Sequence, residues 1–235
     1  MSLSILAVAA LVVALAGFAQ GVAGIGFALI VAPVIGYVRP DLMPATLLVL
    51  MIPLNLFVAA REWPEIDRRG ASWVTVGRLA GTFGGIAVLA TIPPSSLHLL
   101  IGAAIILAVL ASVTSPVFVP GHKAFLTAGV VAGVAETATG VGGPPLALVY
   151  QHHEPKQIRA TIAICFLIGE VVSLASLLAV GRVNVAELRF AVALMPAVAL
   201  GVLASRHAHG WLSARLARQI VLGFALVSGV ILLAH

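Results

Sequence analysis

Apolar runs long enough to cross a lipid bilayer follow one another from Leu3 to Ala234, parted only by short connections that carry most of the charges, prolines and glycines. About 20 apolar residues span the hydrocarbon core as a helix, and in that core backbone polar groups must be satisfied by the helix itself. The chain is therefore expected to be an all-α integral membrane protein with no separate extramembrane domain. Composition agrees, since 61% of the residues are hydrophobic and only 9% are charged, with a mean hydropathy of +1.16. Soluble domains carry about 25% charged residues, and a water-facing surface cannot be built from so few.

The polar breaks mark off eight segments, approximately Leu3 to Ile35, Leu42 to Ala60, Ala71 to Ile92, Leu97 to Val119, Ala124 to Tyr150, Ile158 to Val180, Ala186 to Ser205 and Leu212 to Ala234. Trp63, Trp73, Trp211, Tyr37 and Tyr150 fall at or near segment ends, where amphipathic rings favour the headgroup layer. Met1 to Ala19 lacks a basic leader and its apolar run continues past any cleavage point, so it is expected to stay as part of the first crossing rather than be removed as a signal peptide. The net charge of +5 and the pI near 10.4 come from 13 Lys and Arg scattered over short connections. That scatter suits topology and headgroup contacts rather than nucleic acid. With eight crossings the loops on the N-terminal side, Arg78 counted among them, hold seven of these residues and the opposite loops six. The positive-inside rule then gives no orientation. The single cysteine, Cys165, lies inside an apolar run and reads as a small core residue.

The first and fifth segments are too long for one straight crossing, and each holds a glycine cluster: Gly21, Gly24 and Gly26 in one, Gly140, Gly142 and Gly143 in the other. Helices 1 and 5 are expected to be interrupted there. An offset of 116 residues lays Gly17, Gly24 and Gly26 on Gly133, Gly140 and Gly142; after one residue is dropped, Ala45-Thr46 falls on Ala160-Thr161 and Asn55 on Glu170. This reads as a single transmembrane domain made from a duplicated four-helix unit, repeat 1 over about residues 1–120 and repeat 2 over about 121–235. An even number of crossings per unit gives both halves one orientation, unless the glycine segments are re-entrant, in which case that parity fails.

Interrupted helices in equivalent positions point to a binding site between repeats. In Thr137-Ala-Thr-Gly-Val-Gly-Gly-Pro-Pro145 the glycines permit unwound backbone, and Pro144 or Pro145 suits the first turn of a new helix. Such a start offers free N–H groups and a positive dipole end to an anion, and Gly24 to Phe27 forms a weaker copy. The competing reading is that the glycines only let helices pack closely. Thr137 and Thr139 either donate to an oxyanion or bond back to their own helix. Glu136 and Glu170 each lie about twelve residues into a segment, near the bilayer centre, where ionisable groups are costly and functional by default. The candidate substrate-binding set is Gln20, Gly24, Gly26, Asn55, Thr137, Thr139, Gly140, Gly142 and Gly143, with Glu136 and Glu170 as the proton-coupling pair. Gln20, Asn55, Glu136 and Glu170 are expected to converge between the halves. Arg78 is expected to snorkel to the interface, with inward anchoring of the substrate as the other reading. Arg39 and Arg159 sit at segment mouths, to steer anions or to hold headgroups.

No histidine set has the company of a metal site, and no nucleophile elbow, phosphate loop or paired-histidine zinc motif occurs. No catalytic residue, cofactor or metal is expected, and the protein is read as no enzyme; without an ATP-binding motif any energy must come from an ion gradient or another subunit, with facilitated diffusion through a channel as the alternative. An intramembrane enzyme such as a lipid phosphatase would need Arg78 or Arg159 beside Glu136 or Glu170. A scaffold would use the glycines for packing and the acids as cross-links.

Gly17-Phe-Ala-Gln-Gly-Val-Ala-Gly-Ile-Gly26 and Gly140-Val-Gly-Gly-Pro-Pro145, each followed by an Ala-Thr pair, resemble the sulfite exporter TauE/SafE family of permeases over nearly the whole chain. The resemblance implies a membrane protein of duplicated halves that transports sulfite, sulfoacetate or another small organosulfur or carboxylate anion. Its partners would be that anion, protons and the lipid bilayer of an inner membrane, with association into homo-oligomers left open. Phe27 stands where the first repeat of many members has a further glycine, which argues against a symmetric two-repeat site.

Overall fold

A computed structural model describes residues 3–23, 26–114, 119–151, 153–205 and 214–234. Among these residues it contains no strand and ten α-helices: α1 (Leu3–Ala23), α2 (Phe27–Val38), α3 (Ala45–Arg61), α4 (Arg68–Thr91), α5 (Leu97–Thr114), α6 (His122–Thr139), α7 (Gly143–Val149), α8 (Pro155–Ala179), α9 (Val185–Ser205) and α10 (Ala214–Ala234). Six helices, α1, α4, α5, α8, α9 and α10, hold stretches long and apolar enough to cross a membrane, whereas α2 and α3 are shorter apolar helices. The eight apolar runs of the sequence thus yield six such spans among the described residues. The runs are subdivided by breaks that hydropathy alone does not place.

The first long run is two helices. Gly26 carries a φ of 121°, a backbone state open to glycine without steric cost, and the chain reverses there. Gln20 Oε1 accepts the Phe27 N–H at 3.1 Å, satisfying one of the donors that every helix start leaves orphaned. α2 then runs back along α1, so that Ser4 and Ile5 share a cavity lining with Val34, Ile35, Val38 and Arg39. In the fifth run Gly140, at φ 80°, closes α6 with its N–H on the Glu136 carbonyl at 2.7 Å. α7 returns toward the start of α6, where the Tyr150 and Phe125 rings meet at 5.2 Å. Gly24 lies outside the described residues.

Because α2 and α7 turn back, each half of the chain passes through five helices, and α6 starts at the opposite end of the bundle from α1. At one end lie Ser4, Arg39 and the start of α9, where Phe190 lines the same cavity. At the other lie the starts of α4, α6 and α8, tied by stacking of Trp73 on His122 with ring centroids 5.7 Å apart and by the Arg159–Glu62 bridge at 2.8 Å. The expectation of a shared orientation for the halves is therefore corrected, for the reason of parity. The charge distribution changes with it. Among the described residues Arg61, Arg68, Arg69, Lys123, Lys156, Arg159 and Arg218 gather at the second end, against Arg39, Arg182 and Arg189 at the first. The near-equal split expected from eight crossings does not hold.

Two helix pairs are in backbone contact. Gly77 and Gly81 on α4 face Gly129 and Gly133 on α6, and a Cβ added at Gly81 would fall on the Val130 carbonyl. Gly17 on α1 likewise faces Gly201 on α9, where a Cβ would fall on the Ala14 carbonyl. In lipid no hydrophobic force separates helix from solvent, so close approach of small residues supplies the association energy. α3 crosses α8, and α5 lies along α10.

Local hydrogen bonds fix where α4 and α9 begin. Asp67 caps α4 by accepting the Gly70 N–H at 3.0 Å. Asn184 and Glu187 cap α9 reciprocally, the Asn184 side chain accepting the Glu187 N–H at 3.0 Å while the carboxylate accepts from Asn184. Trp63, Trp73 and Tyr37 are exposed near helix ends as the belt rule expects. Tyr150 is instead fully buried, because the return of α7 carries it inside against Phe125. Trp211 lies outside the described residues.

Gly81→Leu should wedge α4 from α6 and destabilise the fold by at least about 1–3 kcal/mol, read as a lower thermal unfolding midpoint in detergent. Gly223→Ala, at a position with open space around it, should leave the midpoint unchanged.

Candidate functional site

The contact between α4 and α6 carries a charged residue at its centre. Arg78, 1% exposed, forms an ion pair with Glu136 of α6. Its guanidinium lies over the Phe166 ring of α8 at 4.8 Å from the ring centre, a favourable cation–π arrangement when desolvated. Gly169 makes the room, since a Cβ there would overlap the guanidinium. Glu170, the next residue, is fully buried and accepts a hydrogen bond from Asn55 Nδ2 of α3 at 2.6 Å. A hydroxyl cluster lies beside the pair: Thr137 and Ser173 meet at 2.7 Å, Ser173 and Thr82 at 3.4 Å, and Thr82 donates to the Arg78 carbonyl at 3.0 Å.

Snorkelling of Arg78 is thus corrected. A side chain held between α6 and α8, which approach it closely at Gly129, Gly133 and Gly169, has no route to the interface, and two carboxylates offset the cost of keeping it inside. Taking such charges out of water costs several kcal/mol per ion, so the group is expensive to maintain. It is also incompletely satisfied, because Arg78 Nε and Nη1 and Glu170 Oε2 are buried without a hydrogen-bond partner.

The two hairpin tips come from opposite halves and meet beside this group. Gln20 and Gly26 from the first tip, Val141, Gly143 and Pro144 from the second, and Met51 and Phe166 line one cleft of about 30 Å³. Gly142 faces Glu136 and the Phe166 ring, and Gly140 packs on Leu47. Phe166 therefore has the cleft on one side and Arg78 on the other. Thr139 donates to the Ala135 carbonyl at 2.7 Å and accepts the Val141 N–H at 3.2 Å, so its hydroxyl is engaged in shaping the tip. The half-helix expected from the paired prolines begins at Gly143 but runs only to Val149. Its dipole is correspondingly small.

The family model described as Sulfite exporter TauE/SafE matches residues 9–232. The chain belongs to this family. No curated protein and no solved structure matches. The matched stretch takes in both hairpin tips, Arg78, Glu136 and Glu170, and all but the outermost turns of the bundle. This TauE/SafE member is accordingly a multi-pass membrane transporter.

Of the residues singled out in the sequence, Asn55 and Glu170 are brought into contact, and Glu136 joins them through Arg78. Gln20 lines the tip cleft and also a second, narrower one of about 10 Å³ with Asn55, Arg61, Arg159 and Ser205. Sequence reasoning missed Ser173, Phe166, Thr82 and Gly169. Ser173 and Phe166 stand three residues after and four before Glu170, on its helix face, so that spacing was a usable signal. Nothing in the sequence marked Gly169.

The arginines at the mouths are paired. Arg39 bonds Asp41 at 2.7 Å, and Glu62 holds Arg61 at 2.7 Å and Arg159 at 2.8 Å beside the narrower cleft. Burial alone would push the Glu62 carboxyl up, but hydrogen bonds from Arg159 and Arg61 together outweigh it and hold the group below its ordinary value of 4.5. A depressed folded value means that the stabilisation is present above about pH 4.5 and is lost as pH falls through the lower folded value. Wild type should therefore exceed Glu62→Gln in thermal stability at pH 6, and the difference should shrink toward pH 4.

Proposed function

We propose that this TauE/SafE member is a proton-coupled secondary transporter that exports a small anion, such as sulfite, an organosulfonate or a short carboxylate, across a bacterial inner membrane. The observation that carries this reading is the meeting of two glycine hairpin tips, one from each half, in a cleft beside a buried charged group. Irregular backbone at membrane depth is tolerated where it is buried or lines a cavity, and discontinuous helices at a repeat interface are where transporters hold substrate.

In this reading the two halves are an inverted repeat, α1–α5 and α6–α10. The packing is unchanged in kind when the halves are exchanged: α1 on α9 becomes α6 on α4, while α3 on α8 and α5 on α10 map to themselves. Such an arrangement suits rocking of one half against the other around a fixed site. The arginine-rich end faces the cytoplasm by the positive-inside rule, which puts Leu3 and Ala234 on the outer side.

The anion sits in the tip cleft against Gln20, Gly26 and Gly143, with Gly140, Gly142 and Thr139 setting the shape of the second tip and Asn55 and Thr137 bonding the groups behind it. Glu136 and Glu170 take up and release the coupled protons. Arg78 beside Glu136 also meets the geometric condition set for a lipid phosphatase, so one preparation should test both readings.

In proteoliposomes labelled sulfite and sulfoacetate should show saturable flux that a pH gradient accelerates, and Glu136→Gln and Glu170→Gln should fold yet lose that acceleration. Absence of flux for every anion tried, together with phosphate release from phosphatidic acid, would replace transport by the enzyme reading.

A further inference from the structure

We infer that Arg78 is the cation on which the transported anion is bound, and that Glu136 and Glu170 hold that cation whenever the anion is absent. The inference rests on the transporter reading and extends it to a residue that the sequence assigned to the membrane interface.

The first argument is that the fold does not need these charges. Gly133 faces the Arg78 carbonyl across the α4–α6 contact, and Gly17 faces the Val198 carbonyl across the α1–α9 contact. Val198 thus stands where Arg78 stands, with Gln20 in place of Glu136 and Asn55 in place of Glu170. The same helix geometry is built at one set of repeat-related positions with a valine and two amides, and at the counterpart set with an arginine and two acids. Packing therefore does not explain why an arginine is kept at membrane depth, where ionisable side chains mark substrate or ion pathways.

The second argument is unused bonding capacity. A guanidinium has five donors in a fork that suits an oxyanion, yet Nε and Nη1 of Arg78 are buried and unbonded. The third is position. The Phe166 ring covers the guanidinium and lines the tip cleft with Gln20 and Gly143, so displacement of one ring joins Arg78 to the place where the tips meet.

Charge then dictates the order of events. The titratable groups that the neighbouring helices bring toward Arg78 are Glu136 from α6 and Glu170 and Cys165 from α8, and Cys165 is a buried thiol against the Ala71 carbonyl. With both acids ionised the group already carries one net negative charge. A monovalent anion added to it would make two, in a medium where such charge is poorly screened. Each carboxylate that releases Arg78 must therefore take up a proton, and with both acids neutral the anion-loaded group carries no net charge. Anion and protons load together because they compete for, and vacate, one guanidinium.

The test uses the full-length protein with sulfite as probe, binding measured by calorimetry in detergent and flux in proteoliposomes. Sulfite itself titrates in this range, so variants are compared with wild type at each pH. Glu136→Gln, which removes a competitor, should bind sulfite about tenfold more tightly than wild type at pH 8, with the gap closing once the pH is low enough to neutralise the wild-type carboxylate. Arg78→Gln alone strands Glu136, so the ligand role is read from the charge-balanced pair Arg78→Gln with Glu136→Gln, which should melt near wild type yet bind and carry no sulfite. Arg78→Lys should keep weakened binding. If the balanced pair binds and carries sulfite like wild type, or if Glu136→Gln shows no gap at any pH, the assignment of Arg78 is overturned while the transporter reading stands. If wild type neither binds nor carries sulfite, transport of that anion falls, and this inference with it.

Discussion

The backbone contact between α4 and α6 is the constraint on which the rest of the bundle depends, and the ion pair between Arg78 and Glu136 sits inside it. The pair exists only because α4 and α6 approach to backbone contact over Gly77, Gly81, Gly129 and Gly133, and because Gly169 leaves α8 without a side chain where the guanidinium lies. The glycines and the charge are therefore one design. The small residues bring the helices close enough to exclude lipid, and the pair gives that contact a register, since sliding either helix by one turn would separate two buried ions. Removing one partner of a buried pair typically costs about 3–5 kcal/mol, which makes this contact far less tolerant than the neutral one between α1 and α9.

The hairpins give the same bundle its direction. A glycine at φ 121° and another at φ 80° turn two long apolar runs back on themselves, and that changes the count of passages per half from even to odd. One local backbone feature thereby decides which charged loops share a side. The arginines that look evenly split along an eight-crossing chain separate into a rich end and a poor end once α2 and α7 return. Glu62, gripping Arg61 and Arg159 beside the narrower cleft, sits on the rich end.

The helical membrane class was legible because it follows from solvation alone: no arrangement of this composition can face water. That Glu136 and Glu170 lie inside the protein was legible as well, since both stand far from the ends of apolar runs, and both are fully buried. The return of α2 and α7 was not, because Gly26 and Gly140 are equally compatible with a kink that carries on and a turn that comes back, and only tertiary packing distinguishes them. Arg78 was misread for a related reason. Two turns from a segment end looks like a short reach to the interface, and the glycines that block that reach lie half a chain away on α6 and α8. Gly169 carried no signal, for its purpose is to be absent from the space that another residue fills.

The difference between the two halves bears most directly on mechanism. A duplicated unit with identical sites would present an anion with two equivalent charged places, and movement between them would need no particular coupling to protons. Here one set of repeat-related positions is neutral where its counterpart is charged: Val198, Gln20 and Asn55 against Arg78, Glu136 and Glu170. Phe27 marks the same divergence at the tip, and Gln20 uses its side-chain oxygen to accept the Phe27 N–H, which fixes the first hairpin. The Asn55–Glu170 bond then joins the two halves at their crossing, amide to acid. Protonation of Glu170 would alter that bond where α3 of one half crosses α8 of the other. A change at Glu170 would in this way reach the contact between α3 and α8.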